Sequence, residues 1–105
     1  MYSWVTIQHL VQWTKGSLCG PIPQTTKVTS ISTDTRTLKK GEVFLALKGE
    51  NFDGHDYLKK AHELGASLLI CEKKPDFETS VLVVNDALKA LVNIAVELRN
   101  SFKGP

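Results

Sequence analysis

Val43-Phe44-Leu45-Ala46-Leu47 is apolar at every position. A short unbroken run of this kind reads as a strand covered on both faces, because a half-exposed strand would alternate with polar residues. Glu42 to Leu47 is therefore assigned to a buried strand. Ser67 to Glu72, built on Leu68, Leu69 and Ile70, and Ser80 to Val84 read the same way. Lys27 to Ser32 alternates and reads as a further strand. Lys39-Lys40-Gly41, Lys73-Lys74-Pro75-Asp76 and Gly20-Pro21-Ile22-Pro23 interrupt these runs with turn chemistry.

Helical spacing fills the intervals. Thr6 can cap a helix carrying Ile7, Leu10, Val11 and Thr14, with Gly16 as its stop and Trp4 and Trp13 packing it onto the body. Asp56 opens a second helix, whose stripe is Tyr57, Leu58, Ala61 and Leu64 and whose stop is Gly65. Asn85 or Asp86 caps a third, with a stripe of Leu88, Leu91, Ala95, Leu98 and Phe102. Helix, strand, strand, helix, strand, strand, helix implies an α/β fold, expected as a three-layer α/β/α domain with a mixed, largely parallel sheet.

At 105 residues the chain is one domain, with no room for a second nucleotide-binding domain. A net charge of +2 with scattered lysines gives no reason to expect nucleic acid or a membrane surface as partner. No apolar run approaches the ~20 residues of a membrane span, and Met1-Tyr2-Ser3-Trp4 is no signal peptide, so a cytoplasmic protein is expected. Cys19 and Cys71 have no metal-like spacing and read as two reduced thiols, Cys71 within a strand. His55 and His62 are too far apart for joint ligation without a third partner, so no metal site is expected. His55 reads as structural, bonding the loop before its helix. No nucleophile–base pair stands out, so no catalytic residue is assigned.

Two polar loops flank the Glu42–Leu47 strand. In the first, Thr33, Asp34, Thr35 and Arg36 offer hydroxyls, a carboxylate and a forked guanidinium suited to phosphate or carboxylate. The same residues also suit a turn in which Asp34 accepts backbone N–H groups and pairs with Arg36. The second, Lys48, Gly49, Glu50, Asn51 and Phe52 followed by Asp53-Gly54, offers backbone N–H groups, an amide and an aromatic ring, with Gly49 and Gly54 allowing close approach. Phe52 alternatively tucks into the core. Two such loops at the end of a sheet, one opening a helix, suit an anionic small molecule.

The run Thr33-Asp34-Thr35-Arg36, Leu38, Lys40-Gly41, Val43 to Glu50 and Phe52-Asp53-Gly54-His55-Asp56-Tyr57 resembles the N-terminal domain of the Mur ligases. Within that family the resemblance is greatest to the type that adds D-alanyl-D-alanine to UDP-N-acetylmuramoyl-tripeptide. The type that adds the third stem-peptide residue usually reads Asp-Ser-Arg and Pro-Gly in place of Thr35 and Lys48-Gly49. The resemblance implies a domain that docks the UDP-muramoyl end of the substrate through the two loops, with the matching serine or threonine, here Thr35, touching the uridine diphosphate. It also implies central and C-terminal domains in the same polypeptide, ATP and Mg²⁺ used there, and a monomer. No Gly-x-x-x-x-Gly-Lys-Ser/Thr run is present, so the isolated domain is expected to be inactive. The third-residue ligase, or a stand-alone regulatory binding module of similar fold, are the alternatives.

Overall fold

The computed structural model describes residues 4–49 and 53–101. In chain order the elements are α1 (Ile7–Thr14), β1 (Ser17–Cys19), β2 (Ile31–Ser32), β3 (Val43–Leu45), a 3₁₀ turn (Gly54–Tyr57), α2 (Leu58–Glu63), β4 (Leu68–Cys71), β5 (Val81–Val83) and α3 (Ala87–Ser101). The five strands form one sheet in the order β1-β5-β4-β3-β2. β2, β3, β4 and β5 are mutually parallel, and β1 runs antiparallel along β5. The carboxyl ends of four strands therefore share one edge, where ligands of parallel sheets collect.

Side chains alternate across the strands and find a cover on each face. Val43, Leu45, Leu68, Ile70 and Leu82 face one way, onto Ile7 and Leu10 of α1 and Ala87, Ala90 and Ile94 of α3. Phe44, Ala46, Leu69, Cys71 and Val81 face the other, onto Leu58 and Ala61 of α2 and Leu38 from the β2–β3 connection. This is the three-layer α/β/α arrangement, and it explains why these strands carry no polar position. Each large aliphatic side chain so buried stabilises the fold by roughly 1.5–3 kcal/mol. Among the described residues none of the buried ones is polar or charged.

The element ends follow local chemistry. Thr6 precedes α1, and its N–H donates to His9 Nδ1 at 3.0 Å, a histidine standing where a capping box usually places Glu or Gln. The stop is Lys15 in the left-handed region, one residue before the expected Gly16. Asp86 caps α3, its carboxylate accepting from Lys89 N–H at 3.0 Å, while Glu72 Oε2 takes the Ala87 N–H at 2.8 Å. Gly65, at φ +94°, ends α2 as expected.

Three expectations need correction, and one strand has no counterpart among the expected elements. β1 lies in Ser17-Leu18-Cys19, which is too short to show a pattern and gains its hydrogen bonds only from β5. The Lys27–Ser32 strand contracts to Ile31–Ser32, with Lys27 making a lone antiparallel bridge to Thr6. The helix expected from Asp56 begins as a 3₁₀ turn at Gly54, capped by Asp53, and Tyr57 is exposed rather than part of the buried stripe. On α3 the buried side is Ala87, Ala90 and Ile94, with Leu91 and Leu98 at its margin, whereas Leu88 and Ala95 face solvent. Small alanines let α3 approach the sheet closely, so the bulkiest residues were a poor guide to its inner face. Phe102 lies outside the described residues.

Candidate functional site

The chain leaves β2 at Ser32 and turns at once. Asp34 N–H donates to Ser32 Oγ at 3.2 Å, and Ser32 Oγ donates to the Asp34 carbonyl at 3.0 Å. Asp34 Oδ1 accepts the Arg36 N–H at 2.9 Å, closing an Asx turn. The Arg36 side chain folds onto the same carboxylate through Nε at 3.1 Å and Nη2 at 2.8 Å. These hydrogen bonds from the Arg36 side chain hold the Asp34 carboxyl below the usual range, and the pairing raises Arg36 in turn. The turn reading of these residues is thus the one the geometry shows. It does not consume the guanidinium: of its five N–H donors, those on Nη1 take no part in the pair.

A hollow of about 490 Å³ opens at this turn, lined by Thr33, Asp34, Thr35, Arg36, Phe44 and Tyr57. All four residues singled out in the first loop come together here. Phe44 reaches it from β3 and Tyr57 from the end of the 3₁₀ turn. Neither was singled out as a site residue, since both sit in apolar patterns. The available signal was topological: parallel neighbours β2 and β3 must deliver their following loops to one edge.

The second loop is pinned at its base by a bridge between Lys48 and Asp53 and by Gly54 N–H donating to the Leu47 carbonyl at 2.6 Å. Lys48 lines a neighbouring hollow of about 340 Å³, with Asp53, His55 and Lys59 on one side and Glu72 to Phe77 on the other. Gly49 is exposed between them. Glu50, Asn51 and Phe52 lie outside the described residues. Gly54 has a different task from the one expected: it is buried, and a Cβ there would stand 2.7 Å from Leu47 N and 2.8 Å from Ala46 Cα. It lets the 3₁₀ turn close against the end of β3, not against a ligand.

His55 is tied into the wall of this second hollow. Asp53 Oδ1 accepts both the His55 N–H and the ring Nδ1–H at 2.9 Å. Nε2 accepts the Glu72 N–H at 2.9 Å and the Lys73 N–H at 3.4 Å. Accepting at Nε2 fixes the neutral tautomer with its proton on Nδ1. The His55 N–H and ring together hold the Asp53 carboxyl low. This is the structural histidine expected, and it joins the end of β4 to the start of the 3₁₀ turn. His9 meets Trp4 and Trp13, and His62 meets Phe77. Among the described residues no group of three His, Cys, Asp or Glu side chains could hold a metal ion. Both cysteines are free thiols, and burial pushes Cys71 up to about 11. Among the described residues no helix is long and apolar enough to cross a membrane.

The family model described as "Mur ligase family, catalytic domain" matches residues 27–100. The chain belongs to the Mur ligase family. The UDP-N-acetylmuramoyl-tripeptide--D-alanyl-D-alanine ligase of Bacillus subtilis is 33% identical over 93 residues, covering 86% of this chain and 20% of that protein. The UDP-N-acetylmuramoyl-L-alanyl-D-glutamate--2,6-diaminopimelate ligase of Bacillus velezensis is 41% identical over 64 residues, covering 61% of this chain and 13% of that protein. A crystal structure of MurF from Acinetobacter baumannii superposes with a TM-score of 0.85 at 38% identity, over 92% of this chain and 21% of that one. The chain thus spans about a fifth of the length of these relatives, or less. The matched model is described as catalytic, and residues 27–100 contain no glycine-rich Lys-Ser/Thr phosphate loop.

Proposed function

We propose that this chain is the N-terminal, substrate-docking domain of a longer ligase that adds D-alanyl-D-alanine to UDP-N-acetylmuramoyl-tripeptide in the cytoplasm. The observation that carries the reading is the hollow at the carboxyl edge of β2 and β3, where two hydroxyls and a guanidinium converge beside an aromatic floor. Thr35 and Arg36 Nη1 meet the diphosphate, and Lys48, Gly49, Glu50, Asn51 and Phe52 close on the uridine from the adjacent loop. Thr33 and Asp34 shape the turn, with Asp34 holding the guanidinium in place. Burying a doubly charged phosphate link against fixed donors gives charge-assisted bonds worth about 1.5–3 kcal/mol each. Held at one end, the substrate presents its distant carboxylate to the central and C-terminal domains, where ATP and Mg²⁺ supply the activation.

The D-alanyl-D-alanine type is favoured over the diaminopimelate type by the breadth of the match. The former covers 86% of the chain, and the latter type between 61% and 72%. Thr35 and Lys48-Gly49 also stand where the third-residue ligase usually carries Ser and Pro-Gly. In the longer enzyme, Thr35→Ala should raise KM for UDP-N-acetylmuramoyl-tripeptide about ten-fold and leave KM for D-alanyl-D-alanine unchanged. An unchanged KM for the nucleotide substrate would remove Thr35 from the site. The purified 105-residue chain should release no phosphate from ATP above a blank.

A further inference from the structure

α3 is apolar over twice the arc that its own core uses. Placing its residues at about 100° intervals, Ala87, Ala90, Ile94, Leu91 and Leu98 face or border the sheet. The apolar surface then continues past them through Leu88, Val92 and Val96, which are 62%, 50% and 47% exposed. Together the apolar positions sweep roughly 240°, interrupted by Arg99 near the end of the helix, where a helix on a single core needs a stripe of about 100°. Lys89, Asn93, Glu97 and Asn100 fill what remains, and the exposed Arg99, about 120° round from Ala87, closes the apolar stripe at its C-terminal end. A helix apolar on this scale packs on two bodies.

We infer that the exposed Leu88–Val92–Val96 stripe is the seat of the domain that follows α3 in the longer polypeptide, an inference that rests on reading the chain as one domain of a multidomain ligase. Two observations select that occupant. First, relatives matched over most of this chain are more than four times its length, and on the proposed reading as an N-terminal domain the next domain comes after α3. Second, the three side chains offer far less than the ~800 Å² per partner that a stable association between separate molecules buries. A tethered neighbour needs no such area, because a short link holds it at an effective concentration on the order of millimolar.

The test compares a Val92→Cys substitution in the longer polypeptide and in the 105-residue chain, with maleimide modification followed at residue 92 by peptide mass spectrometry. Leu88→Cys serves as a second reporter, and both positions are exposed enough to accept the change. Modification should be about ten-fold slower or more in the longer polypeptide, and the 105-residue chain should sediment as a monomer. Equal rates at both positions would overturn the inference. So would a dimer of the short chain that Leu88→Asp dissociates, which would assign the stripe to a second copy, or a natural polypeptide ending at residue 105. Ligase assays on the same samples separate the two claims. An active ligase with unprotected cysteines overturns the docking surface alone, whereas protection in a polypeptide that does not ligate supports the surface and removes the functional reading.

Discussion

Phe44, in β3, and Thr35, in the turn after β2, line the same hollow, yet they are held in opposite ways. Phe44 is fully buried in β3, clamped between the sheet and α2 by dispersion and by exclusion from water. Thr35 stands half-buried in a turn held by its neighbours, Ser32, Asp34 and Arg36, through hydrogen bonds that form within five residues of chain. The floor of the hollow therefore belongs to the stability of the whole domain, while its rim is a local device that can change without unfolding anything. A hollow assembled this way keeps its floor rigid and leaves the chemistry of its rim free to vary.

The sharpest way to break that contrast is at the floor. Phe44→Ala should cost about 3–5 kcal/mol, because the neighbouring β4 and α2 side chains cannot collapse into the space. A denaturation midpoint close to that of the unsubstituted protein would show that the floor is not core. On the other face of the sheet, Ile94→Ala should cost about 2–5 kcal/mol, whereas Leu88→Ala on the same helix should stay within ~0.5 kcal/mol in the 105-residue chain. Equal effects would put the inner face of α3 where the leucines suggested.

A smaller effect is expected at His55, which joins the end of β4 to the 3₁₀ turn. His55→Ala leaves the Glu72 N–H without its acceptor, and should cost about 1–3 kcal/mol by chemical denaturation. No change would mean that water replaces the imidazole without loss.

Smaller again is a pH effect. Glu42 accepts the Ser30 hydroxyl and the Lys39 N–H, and the first of these chiefly holds its carboxyl below the usual value. A depressed folded-state value means that stability is present above the unfolded-state pKa of ~4.3 and is lost as pH falls through the folded one. Glu42→Gln should flatten the acid limb of stability against pH while leaving the neutral plateau almost unchanged. An identical acid limb in the variant would exclude Glu42 as its source. Least of all should be the effect of Thr35→Ala on melting temperature, since the turn's hydrogen bonds run through other residues.

The same division explains what could be read from the chain beforehand. Unbroken runs at Val43–Leu47 and Leu68–Ile70 are unmistakable because both faces of the strand obey one rule, and they led directly to the layered fold. α3 misled because it obeys that rule too generously: with apolar residues over half its circumference, periodicity cannot choose between Leu88 and Ala87 as the inner side. β1 left no trace because an edge strand of Ser17-Leu18-Cys19 is defined by its partner β5 and not by its own pattern. That Thr33 to Arg36 gather in one polar turn was legible from hydroxyls and charge clustered after a strand. Phe44 and Tyr57 were not, since it takes the strand order to bring them to the same place. Gly54 was read as making room for a ligand, when the backbone of Ala46 and Leu47 is what it makes room for.

On the proposed function, the UDP-bearing substrate binds in the hollow after β2. Titration of the isotope-labelled chain with UDP-N-acetylmuramoyl-tripeptide, beside UDP alone, measures that directly by NMR. Binding by the lone domain should be weak, on the order of millimolar or ~4 kcal/mol, because fixing a flexible ligand offsets much of the contact energy. Shifts should cluster at Thr33–Arg36, Phe44 and Tyr57 and in the loop from Lys48 to Asp53, and Thr35→Ala should weaken them without lowering the melting temperature. Shifts centred instead on α1, or none at saturating UDP, would contradict the assignment of the hollow after β2 as the docking site.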